Sequence, residues 1–360
     1  MASLSDIGWG AFHELTAEQK APYFRDAERE RHVIVAQQFD RARLDALGIL
    51  ATQIRRIAKT HAGLDYLQSV LSHKRAMLYF SQPSTRTFLS FCAACEILGL
   101  KLGEVRDTST SSEFKGESQD DSVRTFSSYF DLIIMRSQIG GLAERVAWLL
   151  SNSERPIPVI NAGSGKDQHP TQALLDIYTL QRSFEEHGGI DGKRIIFVGD
   201  LLRGRTVRSL SVLLTQYRDV EQCFVAPDAL QIGEDIQAIL RERGVRFRLS
   251  DDLRGEIPSA DAVYMTRVQN EWDASHGESA RIDISRFCFG EYELGLLTPH
   301  AVIMHPLPRR EEIASVVDHS PHAVYWRQMR NGMWIRAALI ATLFTKDTEI
   351  RDYFAQHEIA

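Results

Sequence analysis

The chain is short of the features that would assign it at a glance. It has four cysteines, Cys92, Cys95, Cys223 and Cys288. Cys92 and Cys95 form a CxxC, but inside an apolar helical run, with no second CxxC and no suitably placed His pair. Packing is expected there, and no metal site. A net charge of −6 leaves no basic footprint, so nucleic acid is not an expected partner. No apolar run approaches the ~20 residues that span a bilayer, so no membrane partner is expected either. The opening MASLSDIGWGAFHEL lacks a basic stretch followed by an apolar core. No signal peptide is expected, and the cytoplasm is the expected location. Internal repeats and low-complexity segments are absent. What is there is an ordinary globular composition in 360 residues, a length that suggests roughly two domains.

Apolar runs and helical spacings alternate along the whole length. In the first half, His32 to Phe39 reads as a short strand or extended segment, and Asp40 caps a helix running to about Lys59. Ala76 to Phe80 reads as a buried strand. Phe88, Phe91, Cys92, Cys95 and Leu98 follow at helical spacing, and Gly99 is a stop signal. Strands are then expected at Leu102–Arg106, Leu132–Met135 and Ile157–Ile160, with helices ending near Tyr129 and Leu150. A polar loop covers Thr108–Ser118, a second loop covers Asn161–Gln168, and His169 opens a long helix. The second half repeats the alternation, with strands at Ile195–Val198, Cys223–Val225, Arg246–Leu249, Ala262–Met265 and Val302–Met304. Helices are expected from near Thr206, over about 230–243 and over about 323–345. This pattern predicts an α/β fold of two doubly wound parallel-sheet domains joined by the helix from His169, with the C-terminal helix packing back on the first.

Residues 1–31 are polar and charged, with Trp9, Phe12, Tyr23 and Phe24 scattered among them. They read as an extension outside the core fold, with aromatics that suit docking on a partner subunit. The first domain is then expected over 32–168 with the C-terminal helix 323–348, and the second over 169–322.

Ligands of doubly wound sheets bind at the carboxyl ends of the strands. The polar residues expected there are Ser84, Thr85, Arg86, Thr87, Arg136, His169 and Gln172 in the first half. In the second half they are Arg205, Arg267, Gln269 and the turn from His305 through Pro306 to Leu307. Ser84–Thr87 places three hydroxyls, one guanidinium and a helix start in one spot, which is equipment for a phosphate or oxyanion; the ordinary alternative is a plain N-cap with a solvated arginine. Lys115 lies in the polar loop. Gly199–Thr206 nearly matches a phosphate-binding P-loop, but Arg205 stands where the point charge of lysine is required. A guanidinium at that helix start suits a carboxylate better. The inventory is rich in cations and amides and offers no nucleophile paired with a base and no metal cluster. It fits direct transfer between two bound substrates, with proximity and electrostatics supplying the rate.

Six segments carry a resemblance: Ser84–Thr87, Lys115–Glu117, His169–Gln172 with Leu175–Asp176, Gly199–Thr206, Tyr264–Gln269 and His305–Arg309. In order and over about residues 32–348, they resemble the catalytic chain of the aspartate carbamoyltransferase family. The resemblance implies that Ser84, Thr85, Arg86 and Thr87 hold the phosphate of carbamoyl phosphate. It implies that Thr87, Arg136 and His169 reach its carbonyl oxygen, that Gln172 holds its NH2, and that the backbone at Pro306 and Leu307 faces the carbamoyl group or the amino acid. Arg205, Arg267 and Gln269 would bind L-aspartate. Lys115 would act on aspartate from a neighbouring subunit, making the active unit a homotrimer with shared sites. Regulatory chains or the N-terminal extension would be the route to any larger assembly. No cofactor is implied.

Ornithine carbamoyltransferases share two of these segments but carry Cys where Pro306 stands and a Ser-Met-Gly motif in the second domain, and neither is present. The sequence departs from the family pattern at Gln82, usually Glu, and Trp272, usually Arg. Together these remove an ion-pair network and suggest that domain closure rests on packing around Trp272. Phe114 and Ser137 depart as well, from a polar or basic residue and from His. The competing expectations are a carbamoyltransferase for another amine and a non-catalytic homologue that scaffolds an assembly.

Overall fold

The computed structural model describes residues 2–26, 29–106, 116–165, 168–269 and 282–357. Lys115, Phe114 and Trp272 lie outside the described residues. The chain divides into two compact units: Met1–Leu175 with Asn331–Ala360, and Asp176–Arg330.

Unit 1 opens with two short helices, α1 (Trp9–His13) and α2 (Ala17–Lys20), and a small antiparallel pair, β1 (Arg25–Asp26) and β2 (Arg29–Glu30). Next come α3 (Arg41–Ile57), α4 (His61–Val70), β3 (Arg75–Phe80), α5 (Thr85–Ile97), β4 (Lys101–Val105), α6 (Gln119–Tyr129), β5 (Leu132–Ser137), α7 (Leu142–Ser151) and β6 (Val159–Ser164). The four longer strands form one parallel sheet in the order β4-β3-β5-β6. Side chains alternate across it. Phe80 meets Phe88 of α5 on one face, and Tyr79 meets Phe126 of α6 on the other, with ring centroids 5.4 and 5.5 Å apart. Helices therefore cover both faces, which is why β3 is a continuous apolar run. β4 is an edge strand and carries exposed Lys101 and Glu104, side chains that discourage pairing with another chain.

Unit 2 begins within α8 (Pro170–Ser183) and continues through β7 (Arg194–Val198), α9 (Arg205–Leu214), β8 (Glu221–Val225), α10 (Glu234–Glu242), β9 (Arg246–Ser250), α11 (Leu253–Glu256), β10 (Ala262–Met265), α12 (Glu291–Leu294) and β11 (Val302–Met304). Its parallel sheet has the order β11-β10-β7-β8-β9. Phe197, Phe224 and Tyr264 line one face, with Ser211 of α9 donating to Gln222 at 2.6 Å on the same side. Ile196, Val198, Cys223, Val225, Val263, Met265 and Ile303 line the other, packed with Leu253, Ile257, Phe287 and Tyr325. The chain then passes through α13 (Tyr325–Leu343) into unit 1 and ends in α14 (Asp347–Gln356), which packs on α3. Tyr353 stacks on Tyr66 at 3.6 Å, and Arg351 donates to the Ala46 carbonyl at 3.1 Å.

Three local expectations are corrected, and two helices are new. The segment 32–39 forms no strand beyond one bridge, Val33 to Ile160, because the Gln38 side-chain carbonyl takes the Ile34 and Val35 N–H groups at 2.7 and 3.0 Å. Residues 161–164, read as loop, continue strand β6. α4 and α14 were not expected at all. The segment 2–26 is not outside the core: Leu4, Phe12, Ala21 and Phe24 are buried in one cluster with Met135, Val146 and Leu150. Phe12 meets Phe24 edge-on at 5.7 Å, Trp9 lies 5.9 Å from Trp148, and Trp148 donates to the Ile7 carbonyl at 2.8 Å. The aromatics that looked available to a partner are spent on the apolar side of α7, and burying them is what holds an otherwise polar segment in place.

Candidate active site

In unit 1 the tetrad residues sit where expected, at the turn from β3 into α5. Ser84 is the N-cap, and its hydroxyl makes no capping bond. The first hydrogen bond of the helix is Phe88 N–H to the Ser84 carbonyl at 3.1 Å. The N–H groups ahead of it, at the positive end of the helix dipole, have no intrahelical acceptor. Thr85 and Arg86 are exposed, Ser84 is half-buried and Thr87 is buried. Arg136 lies opposite Phe80 in the adjacent strand, and its carbonyl accepts from Gln82 N–H and Ser81 Oγ, both at 3.3 Å. The turn and the arginine are thus tied to one sheet edge.

Arg136 Nη1 donates to the Ala162 carbonyl at 3.0 Å and lies 3.4 Å from His169 Nε2. Gln172 follows in the first turn of α8, its N–H on the His169 carbonyl at 3.0 Å. Arg136, His169, Thr87 and Gln172 are all nearly fully buried. The sequence reading missed what makes this packing possible. Gly163 has φ +118, and a Cβ there would stand 2.6 Å from Arg136 Nη1 and 3.3 Å from His169 Cδ2. Asn161 Oδ1 fixes that backbone by accepting the Gly163 N–H at 2.9 Å. The signal was present in Asn161-Ala-Gly-Ser164, but it was read as an ordinary loop.

In unit 2 the arginines sit on turns after adjacent strands. Arg205 opens α9 and is half-buried, as are Arg267 and Gln269. Asp200, fully buried, joins their turns: Oδ1 accepts Arg203 N–H at 3.1 Å and Oδ2 accepts Gln269 N–H at 3.0 Å. Thr266 N–H donates to the Val198 carbonyl at 2.8 Å. That approach requires Gly199, at φ +114, since a Cβ would fall 2.1 Å from the Thr266 carbonyl oxygen. After β11 the turn is held by His305. Its Nδ1 accepts Leu307 N–H at 2.7 Å, which puts the ring proton on Nε2, facing Glu312 Oε1 at 2.8 Å. Burial works to raise the Glu312 carboxyl, but hydrogen bonds from His305 and the backbone outweigh it and hold the pKa below the ordinary glutamate value. Leu307 takes φ +56, and its bond to Pro308 is cis. Among the described residues no group of three His, Cys, Asp or Glu side chains could hold a metal.

Two family models match the chain in sequence order. The aspartate/ornithine carbamoyltransferase carbamoyl-P binding domain covers residues 31–182, and the Asp/Orn binding domain covers 191–343. The chain belongs to the aspartate/ornithine carbamoyltransferase family. Within that family it is similar to aspartate carbamoyltransferase 1, chloroplastic, of Pisum sativum, with 41% identity over 336 residues, 90% of this chain and 82% of the relative. Its fold is similar to the catalytic subunit of M. jannaschii aspartate transcarbamoylase, with TM-score 0.77 and 34% identity over 88% of this chain and 98% of that one. It is also similar to the Trypanosoma cruzi aspartate transcarbamoylase in complex with carbamoyl phosphate and aspartate, with TM-score 0.74 and 34% identity over 87% and 96%. In carbamoyltransferase terms, unit 1 gathers the residues expected on carbamoyl phosphate, and unit 2 gathers those expected on the amino acid together with the Pro306–Leu307 turn.

Proposed function

We propose that this protein transfers the carbamoyl group of carbamoyl phosphate to the amino group of L-aspartate, giving N-carbamoyl-L-aspartate and phosphate, a step of pyrimidine biosynthesis. The observation that carries the reading is the buried Arg136–His169 pair beside the open start of α5, a ready cradle for an anion next to a carbonyl. Ser84, Thr85, Arg86 and Thr87 take the phosphate oxygens. Thr87, Arg136 and His169 stabilise the carbonyl oxygen as it gains negative charge, and Gln172 orients the carbamoyl NH2. Arg205 and Arg267 bind the two carboxylates of aspartate, Gln269 supports them, and the Pro306 and Leu307 carbonyls accept from the carbamoyl group or the amine. The amine nitrogen attacks the carbamoyl carbon, the C–N bond forms, and the C–O bond to phosphate breaks. The amine proton leaves on phosphate, so the chain supplies no dedicated base and no cofactor.

The reading includes a homotrimer in which Lys115, which lies outside the described residues, serves a neighbour's aspartate site. It also includes a cytoplasmic setting, although plant relatives are named chloroplastic. No helix among the described residues is long and apolar enough to cross a membrane. The test is an assay of carbamoyl phosphate with L-aspartate against L-ornithine and other amino acids. N-carbamoyl-aspartate and equimolar phosphate with aspartate alone are expected. Product only with another amine moves the substrate, and no product with any amine leaves a scaffold. Sedimentation of the full chain, and of a chain lacking residues 1–31, tests the trimer and any larger assembly with or without regulatory chains. Fractionation of the source cells tests the location.

A further inference from the structure

Two buried polar residues of unit 2, neither in the ligand set, join its substrate turns from beneath. Asp176 of α8 accepts from Tyr264 Oη at 2.8 Å through Oδ2 and from Gln328 Nε2 at 2.7 Å through Oδ1. Gln328 Oε1 in turn accepts the His305 backbone N–H at 2.9 Å. Tyr264, Asp176, Gln328 and His305 are all buried. The relay therefore runs from β10, three residues before Arg267, to the residue that directly precedes Pro306.

Two observations set this relay apart from ordinary core. A buried carboxylate and amide are costly unless fully hydrogen-bonded, and apolar side chains would fill the same space without that penalty. Leu307, at the end of the relay, adopts φ +56, a left-handed conformation that a bulky residue holds only when its surroundings impose it. The His305 ring fixes Leu307 N–H, and Gln328 fixes the His305 backbone, so the strained turn is held from two sides.

We propose that Asp176 and Gln328 are positioning residues that lock the Arg267–Gln269 turn and the Pro306–Leu307 turn into one register. Neither touches substrate; both act through Tyr264 and His305. The proposal rests on the aspartate carbamoyltransferase reading above.

The test compares Gln328→Met, Asp176→Ala, Asp176→Asn and Tyr264→Phe with the unaltered full chain. Gln328→Met keeps the length of the side chain and removes its hydrogen bonds. Its kcat should fall and its KM for aspartate rise, each about tenfold, the combined scale of the two buried hydrogen bonds removed. Affinity for inorganic phosphate, measured by calorimetry, should stay within about twofold, because unit 1 holds that anion. Asp176→Asn should recover what Asp176→Ala loses: the amide oxygen can accept from Gln328, and its NH2 can donate to a Tyr264 hydroxyl turned to accept. Tyr264→Phe, which deletes one hydroxyl, should raise the aspartate KM by a smaller factor and covers the case in which the other variants fold poorly. Variants that lose phosphate affinity and thermal stability in step with activity, or that leave kcat and aspartate KM unchanged, overturn the proposal. An unaltered chain that makes no product overturns the functional reading and the proposal with it; an active chain whose variants show no split overturns the proposal alone.

Discussion

The two units solve the problem of holding an anion in different ways. Unit 1 leaves Thr85 and Arg86 exposed at the start of α5 but sinks the groups expected at the carbonyl, with His169 4% and Arg136 9% exposed. Unit 2 sets half-buried Arg205, Arg267 and Gln269 on turns and controls them from below, through backbone N–H groups on the buried Asp200 carboxylate. Buried, pre-aimed donors need no reorganisation when charge develops, so they belong with the carbonyl that becomes an oxyanion. A dicarboxylate that must enter before reaction, and leave as product, is better served by an accessible clamp with a rigid anchor beneath it. The contrast predicts that damage to the buried groups of unit 1 shows mainly in kcat and damage to the arginine clamp of unit 2 mainly in KM for aspartate.

The largest effect should come from Arg136→Ala. Steady-state kinetics should show kcat down by about 10²–10³-fold, the usual cost of one oxyanion donor, with a far smaller change in aspartate KM. A variant that changed only aspartate KM would invert the comparison. Gly163→Ala should follow, with kcat down by about 10²-fold, because the new Cβ pushes on Arg136 Nη1 from 2.6 Å and φ +118 disfavours any side chain. Asp200→Ala should raise the aspartate KM about tenfold by leaving two partly buried N–H groups without their acceptor, while phosphate affinity stays put. Equal losses in both ligands would show that the anchor serves the whole fold.

The effect furthest from catalysis is on stability in acid, and it belongs to unit 1. His32 accepts Val159 N–H on Nδ1 at 3.2 Å, so its proton sits on Nε2 beside Ser151 Oγ at 2.9 Å. Burial, with help from Arg31, pushes its pKa from 6.5 down to about 3. The unfolded chain binds a proton here that the folded chain refuses, so this contribution is present above about pH 6.5 and is lost as pH falls toward about 3. Urea titrations across that window should show a falling limb, and His32→Gln should flatten it.

Most of the fold was legible because parallel strands buried on both faces leave continuous apolar runs, as in β3 and β7, and the strand ends then fix where ligands bind. The tetrad, Arg136, His169, Arg205 and Arg267 follow from that geometry. The N-terminal segment was misread because Trp9 meets Trp148 of α7, and Phe12 and Phe24 join the same buried cluster as Val146 and Leu150, more than a hundred residues away, and no local period announces such packing. β6 ran past its expected end because Ala162 and Gly163 have no bulk to mark a strand, although the Ala162 carbonyl holds Arg136. Asp200, Asp176 and Gln328 are polar residues buried by design, so hydropathy places them at the surface. Their roles emerge only once the backbone groups they serve are in place.

The division of the chain also orders its making. Unit 2 is one unbroken stretch, Asp176–Arg330, set as an insertion within unit 1, which is completed only by Asn331–Ala360. On the ribosome, most of unit 1 emerges first yet must wait, with α3 and Tyr66 still lacking α14 and Tyr353, until unit 2 has been synthesised. A chain clipped before Asn331 therefore carries a whole unit 2 and an open unit 1, and the half built to hold phosphate is the last to close.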